Sequence, residues 1–208
     1  MHQEILSTDQ LNLLPLVKQF RREFYLVGGT AVALYIGHRR SIDFDLFKFK
    51  SLNHSSIISK ISAAKKSYSI TRRVSEQLNV TINNVKFTFY EYPFQIVAKN
   101  SLSDIMRMPS LLDLSAMKAY ALGKRSKWKD YVDLYFILKD HYTINQISQR
   151  AVEIYDQLFS QKLFRAQLCY FDDINYTESI EYVIPAPSDD EIKQFLIEKA
   201  IDIGIQEE

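Results

Sequence analysis

A short apolar run, Phe24-Tyr25-Leu26-Val27, stops at Gly28-Gly29, and a second strand-like segment follows one short helix later. Residues 42–49 alternate: Ile42, Phe44 and Leu46 fall on one side, and Asp43, Asp45 and Phe47 on the other, because side chains in a strand flip with period two. A chain built this way buries one face of that strand and leaves two carboxylates together on the opposite face. Between the two segments, Thr30 is placed to cap a helix over 31–36 that Gly37 closes.

Two carboxylates at i and i+2 on a strand set oxygen-rich ligands a few ångströms apart. Mg²⁺ (or Mn²⁺) suits such a pair, since it takes oxygen ligands, keeps several waters and shares its shell with substrate phosphates. Like charges side by side cost free energy unless a cation or proton offsets them, so Asp43-x-Asp45 on an otherwise apolar strand is either a cation site or a plain surface pair. Upstream, a strand running into Gly28-Gly29-Thr30 and a helix offers backbone N–H groups at a helix N-terminus, where a phosphate is favoured. A diglycine alone also makes an ordinary tight turn. The order matters more than either part: Gly28, Gly29 and Thr30, then His38-Arg39-Arg40-Ser41, then Asp43 and Asp45 put a phosphate cradle and a metal site on neighbouring strands, as phosphoryl chemistry requires.

Helical spacing marks 11–20, with Leu11, Leu14 and Val17 as the apolar face, and 51–66. Residues 68–74 read as a strand, and 78–82 with 85–91 as a hairpin whose Asn83-Asn84 turn tolerates positive φ. From about residue 101 alternation gives way to helical periodicity. Ser110 with Asp113 forms a capping box before a helix carrying Lys118. Further helices are expected over 128–138, with Tyr131, Leu134, Tyr135 and Leu138 on one face, and over 143–159. Ser188-Asp189-Asp190-Glu191 opens a last helix reaching Ile203, before Gly204, whereas 164–184 gives no single reading. The expectation is an α+β protein: a small mixed sheet flanked by helices over 1–100, then a helical region over 101–208 packed on that core, with Lys118 facing Asp43 and Asp45 across a cleft.

Among 208 residues, 47% are hydrophobic and 25% charged, as in ordinary globular chains. No stretch reaches the ~18 apolar residues a membrane helix needs, and the first ten residues lack a secretory signal. The lone Cys169 cannot form an internal disulfide. A cytoplasmic location is therefore expected, with no membrane partner. The net charge of +1 gives no global basic field, so a nucleic-acid partner would need a local patch.

The run GGTAVALYIGHRRSIDFDLF resembles the first motif of nucleotidyltransferases of the DNA polymerase β superfamily, in particular the AbiEii/AbiGii toxin-like family. The likeness continues in FTFYEYPF, an aromatic strand ending in proline, in LLDLSAMKAYALGKR, a lysine-bearing helix, and in KWKDYVDLYFIL, a Lys-Asp-x-x-Asp helix, so it covers roughly residues 22–140. The resemblance implies transfer of a nucleoside monophosphate from a nucleoside triphosphate to a macromolecular acceptor, tRNA or protein, by the toxin of a toxin-antitoxin or abortive-infection system with an antitoxin partner. It assigns Mg²⁺ to Asp43 and Asp45, the phosphates to Gly28, Gly29 and Thr30, and the triphosphate also to Lys118. Arg39 and Ser41 would join the phosphate site, with Arg40 as a second steering charge, and Asp130 and Asp133 would support the lysine helix or the acceptor. His38 would order the loop.

One position departs from the pattern. Where superfamily members often carry a third carboxylate, this chain has Thr88, and Glu91, three residues on, points to the other face of the strand. That departure keeps open a catalytically silent nucleotide-binding or protein-interaction module of the same fold. An enzyme acting on a small molecule such as an aminoglycoside shares the first motif.

Overall fold

The computed structural model describes residues 1–202, which fall into two compact units that divide between Leu114 and Ser115. The first unit is built on a five-stranded mixed sheet of order β1-β2-β5-β4-β3. Its strands are β1 (Tyr25–Val27), β2 (Phe44–Lys48), β3 (Tyr68–Val74), β4 (Gln77–Ile82) and β5 (Val85–Glu91). Only β2 and β5 run parallel; β1 with β2, β4 with β5 and β3 with β4 are antiparallel.

Helices α1 (Thr8–Lys18), α2 (Gly28–Ile36) and α3 (His54–Ala63) accompany the sheet. One sheet face is apolar, carrying Phe44 and Leu46 of β2, Leu78 and Val80 of β4 and Phe87 and Phe89 of β5, all fully buried. Phe89 takes the rings of Phe20 and Phe24 at centroid distances of 4.8 and 5.4 Å, both edge-on, the geometry aromatic quadrupoles prefer. The opposite face carries Asp45, Phe47, Thr88 and Tyr90, all partly exposed. The mixed sheet with flanking helices matches the expected α+β class.

The Asn83-Asn84 turn has φ of 47° and 63°, the left-handed pair a two-residue hairpin demands. Ser7 and Gln10 complete a capping box that starts α1 earlier than the apolar pattern indicates. The buried face of α1 is Gln10, Leu13, Leu16 and Val17. Leu11, taken from spacing as a core position, is 43% exposed: three positions at helical spacing allow two overlapping stripes. Ile42, expected to share the buried side of Phe44 and Leu46, is 54% exposed because β2 begins only at Phe44. Alternation also does not end at residue 101. A second antiparallel hairpin, β6 (Asn100–Leu102) with β7 (Met106–Met108), follows the sheet, its strands too short for periodicity to register.

The helix α4 (Leu111–Leu122) opens on the expected box: Ser110 N–H donates to Asp113 Oδ2 at 3.2 Å, and Asp113 N–H to Ser110 Oγ at 3.0 Å. The second unit continues with α5 (Trp128–Asp140), α6 (Ile144–Tyr155), α7 (Gln161–Leu168) and α8 (Asp189–Ile201). The helix expected over 143–159 stops at Tyr155, where Asp156 turns to φ 49°. Helix α7 begins ahead of the stretch over 164–184 that gave no single reading and ends inside it. Helix α5 is buried on nearly every side, including Asp130 and Asp133, so its apolar stripe is far wider than the four positions read from spacing. Ser188 caps α8 as expected; Ile203 and Gly204, named for its end, lie outside the described residues. No helix among the described residues is long and apolar enough to cross a membrane.

Candidate active site

In the first unit, β1 runs directly into α2 through Gly28 and Gly29. Gly28 has φ +72°, a left-handed conformation that costs glycine little and other residues more. A Cβ built there would lie 2.1 Å from Asp45 Oδ2 and 3.0 Å from its Cγ, so the Asp45 carboxylate rests against the bend itself. Gly29 has a different neighbour: its Cβ would meet Arg39 Nη2 at 2.6 Å and Ser41 Oγ at 3.1 Å. The diglycine thus makes room on one residue for a carboxylate and on the next for a guanidinium and a hydroxyl.

Val27, the N-cap residue of α2, makes no side-chain cap, and the first N–H groups of a helix lack intrahelical partners. Thr30 differs from its expected role as that cap. The helix starts at Gly28, which leaves Thr30 inside it and 1% exposed. Its hydroxyl lies 3.0 Å from Ser41 Oγ and also contacts the Asp43 carbonyl, which ties α2 to the segment leading into β2. Any share of Thr30 in a phosphate cradle belongs to its backbone. Arg39 is likewise no solvated loop residue: it is 2% exposed, and its Nη1 donates to the Arg40 carbonyl at 2.9 Å. Arg40 Nη1 donates to the Glu4 carbonyl at 3.2 Å. His38 is completely buried.

Asp45 pairs with Val27 on β1 and with Thr88 on β5, and Thr88 pairs in turn with Asn79 on β4. Directly opposed residues share a sheet face, so Thr88 stands beside Asp45 on that face. Glu91 pairs with Lys48 and the β2–β5 register is unbroken, so Glu91 faces away. A row of aromatic rings that sequence reading left unconnected lies along this region: Phe47 packs on Tyr90 and Tyr92 at 5.1 and 5.2 Å, and Tyr92 on Phe94 at 5.4 Å. Cross-strand alignment of Phe47 and Tyr90 produces it, and register cannot be read from one strand.

The metal test rests on Asp45 and Gly28. Among the described residues, no group of three or more His, Cys, Asp or Glu side chains is arranged to hold a metal ion. Asp45 lies beside the bend that Gly28 leaves open, whereas Asp43 precedes β2 rather than lying on it; a carboxylate so placed fits an ion whose remaining ligands are water and substrate phosphate, the usual way Mg²⁺ is held.

The second unit contains its own charged cluster. Lys118 on α4 is 5% exposed, and its Nζ lies 2.6 Å from Asp130 Oδ1 and 2.5 Å from Asp133 Oδ2 on α5. Arg125 closes the group, its Nε donating to Asp130 Oδ2 at 2.9 Å. Lys118 is therefore not a lysine on a solvated helix face. Burial acts to raise the Asp130 pKa, but the Lys118 and Arg125 charges outweigh it and hold the carboxyl below its ordinary value. The two carboxylates one helical turn apart and the lysine were separate sequence signals; α4 and α5 bring them together.

Comparison with known proteins bears on the family and the fold. The family described as nucleotidyl transferase AbiEii toxin, type IV TA system, matches residues 16–206. An uncharacterized protein of Aquifex aeolicus (strain VF5) is 30% identical over 160 residues, spanning 73% of this chain and 75% of that protein. Among solved structures, the nucleotidyltransferase toxin MenT4 of Mycobacterium tuberculosis H37Rv superposes with a TM-score of 0.59 at 12% identity, covering 92% of this chain and 81% of its own. A proposed nucleotidyltransferase of H. pylori does so with 0.55 at 19% identity, covering 93% and 94%. At these identities the structures share the fold.

Proposed function

The chain belongs to the AbiEii family of nucleotidyltransferase toxins, and on that premise we propose that it moves a nucleoside monophosphate from a nucleoside triphosphate to a macromolecular acceptor, tRNA or protein, with Mg²⁺ held by Asp43 and Asp45. What carries this reading is the approach of Asp45 to the left-handed Gly28, since it sets an anionic ligand beside the N-terminus of α2, whose first N–H groups have no intrahelical acceptor. Mg²⁺, or Mn²⁺, would polarise the phosphoryl oxygens and offset charge at the leaving pyrophosphate.

The chain's own residues then have distinct tasks. The backbone N–H groups of Gly28, Gly29 and Thr30 receive phosphate oxygens, favoured by the partial positive charge of the α2 N-terminus. Arg39, fixed against Gly29, adds a permanent charge to that bend, and Ser41 holds Thr30 in place while lining the same surface. Lys118 binds the triphosphate as a compact point charge. Asp130 and Asp133 are supporting residues that fix its ammonium. As a member of a toxin family the protein has an antitoxin as its expected partner.

The test is direct. The protein is incubated with each labelled triphosphate, Mg²⁺ and a cell extract, and label is followed into RNA and into protein. We expect transfer with the wild type and none with Asp43→Ala or Asp45→Ala. Measurable triphosphate binding with no transfer under any condition would favour a silent nucleotide-binding module.

A further inference from the structure

We infer that Asp43 and Asp45 hold one divalent cation and no second, because the sheet positions beside them carry neutral or cationic groups. The inference rests on the nucleotidyltransfer reading and adds how many ions that site takes. On the face shared with Asp45, β5 presents Lys86, Thr88 and Tyr90, since residues two apart project alike. Thr88 stands directly across from Asp45, and Asn79 directly across from Thr88. A second divalent ion held about 3.5–4 Å from the first needs ligands that offset the mutual repulsion, and a carboxylate at position 88 would be the natural source. A threonine hydroxyl brings no charge.

The neighbours strengthen that conclusion. Asn79 Oδ1 accepts from Gln77 Nε2 at 2.9 Å, and the amide brings no charge to offset a second cation. The Tyr90 ring is packed against Phe47 at 5.1 Å. Lys86 is exposed on this face, and the Arg39 guanidinium lies against Gly29; both oppose a further divalent charge and supply part of what it would contribute. Glu91 pairs with Lys48 on the far face. In the second unit, Asp130 and Asp133 are engaged by Lys118, with Arg125 on Asp130. Thr88 and Asn79 therefore form a neutral rail offering hydroxyl and amide hydrogens to substrate oxygens, where a third carboxylate would have recruited another ion.

Mn²⁺ binding, read from loss of the free-ion electron paramagnetic resonance signal, decides the count. The full chain is titrated with Mn²⁺ in the presence of α,β-methylene analogues of ATP, GTP, CTP and UTP, one at a time. The expected result is one tightly held Mn²⁺ per chain in wild type and in Thr88→Val, and two in Thr88→Asp, with circular dichroism confirming that each is folded. Two ions in the wild type would overturn the inference while leaving nucleotidyltransfer intact. No ion with any analogue would overturn both. A folded Thr88→Asp that still holds one ion would remove Thr88 as the residue that sets the number.

Discussion

Gly28 and Gly29 look equivalent in the sequence and do different things. At Gly28 the backbone is left-handed and a Cβ would overlap a carboxylate oxygen. Gly28→Ala therefore combines a conformational cost of about 1 kcal/mol with displacement of Asp45. It is expected to lower the melting temperature by several degrees and to abolish Mn²⁺ binding. Gly29 has no positive φ, and its added methyl meets the end of the Arg39 side chain. Gly29→Ala should keep the ion and weaken triphosphate binding, by roughly tenfold if one charge-assisted contact is lost. Calorimetric titration of Mn²⁺ and of triphosphate against both variants separates the two effects. Equal losses in both would show that the bend acts as a unit.

At the scale of elements, α4 and α5 are joined by a buried ion group whose cost and benefit can be measured. Removing one partner of such a group strands a charge, which typically costs about 3–5 kcal/mol. Asp130→Asn should thus lower the urea midpoint strongly, whereas Arg125→Ala, at a side chain 50% exposed, should cost about 0–1 kcal/mol. The pH dependence has a definite sign. The folded Asp130 pKa lies below its unfolded value, so its stabilisation is complete above the unfolded value, near 3.9, and is lost as pH falls through the folded one. Urea unfolding from pH 7 to pH 3 should show the wild type losing stability more steeply in acid than Asp130→Asn; parallel curves would count against the ion group.

This cluster was only half legible in the sequence. Lys118 and the Asp130, Asp133 spacing were visible, but α5 reads as amphipathic, and nothing local says that it is buried almost all round. Similarly, Thr30 looks like a cap because its neighbours form a helix, while the distant Asp43 carbonyl and Ser41 decide what its hydroxyl does. The hairpin of β6 and β7 was missed because three-residue strands carry too little alternation to register. The Asn83-Asn84 turn and the capping residues Ser110 and Ser188 were readable because each acts on backbone within three residues of itself.

For the whole molecule, the family match over residues 16–206 and the fold shared with MenT4 agree with what the first motif implied, because that motif encodes a strand, a bend and a strand whose geometry is local. Thr88 in place of a third carboxylate was visible in the sequence through the resemblance, but its position directly across from Asp45, and that of Asn79 beyond it, depends on the register of β2, β5 and β4. The central claim is that Asp45, set against Gly28, works through its charge at a metal. Asp45→Asn keeps the shape and removes that charge. Transfer of labelled nucleoside monophosphate to acceptor, measured with Mg²⁺ alongside the melting curve, should fall on the order of a hundredfold or more while the folded state persists. Transfer at the wild-type rate by a folded Asp45→Asn would contradict the account.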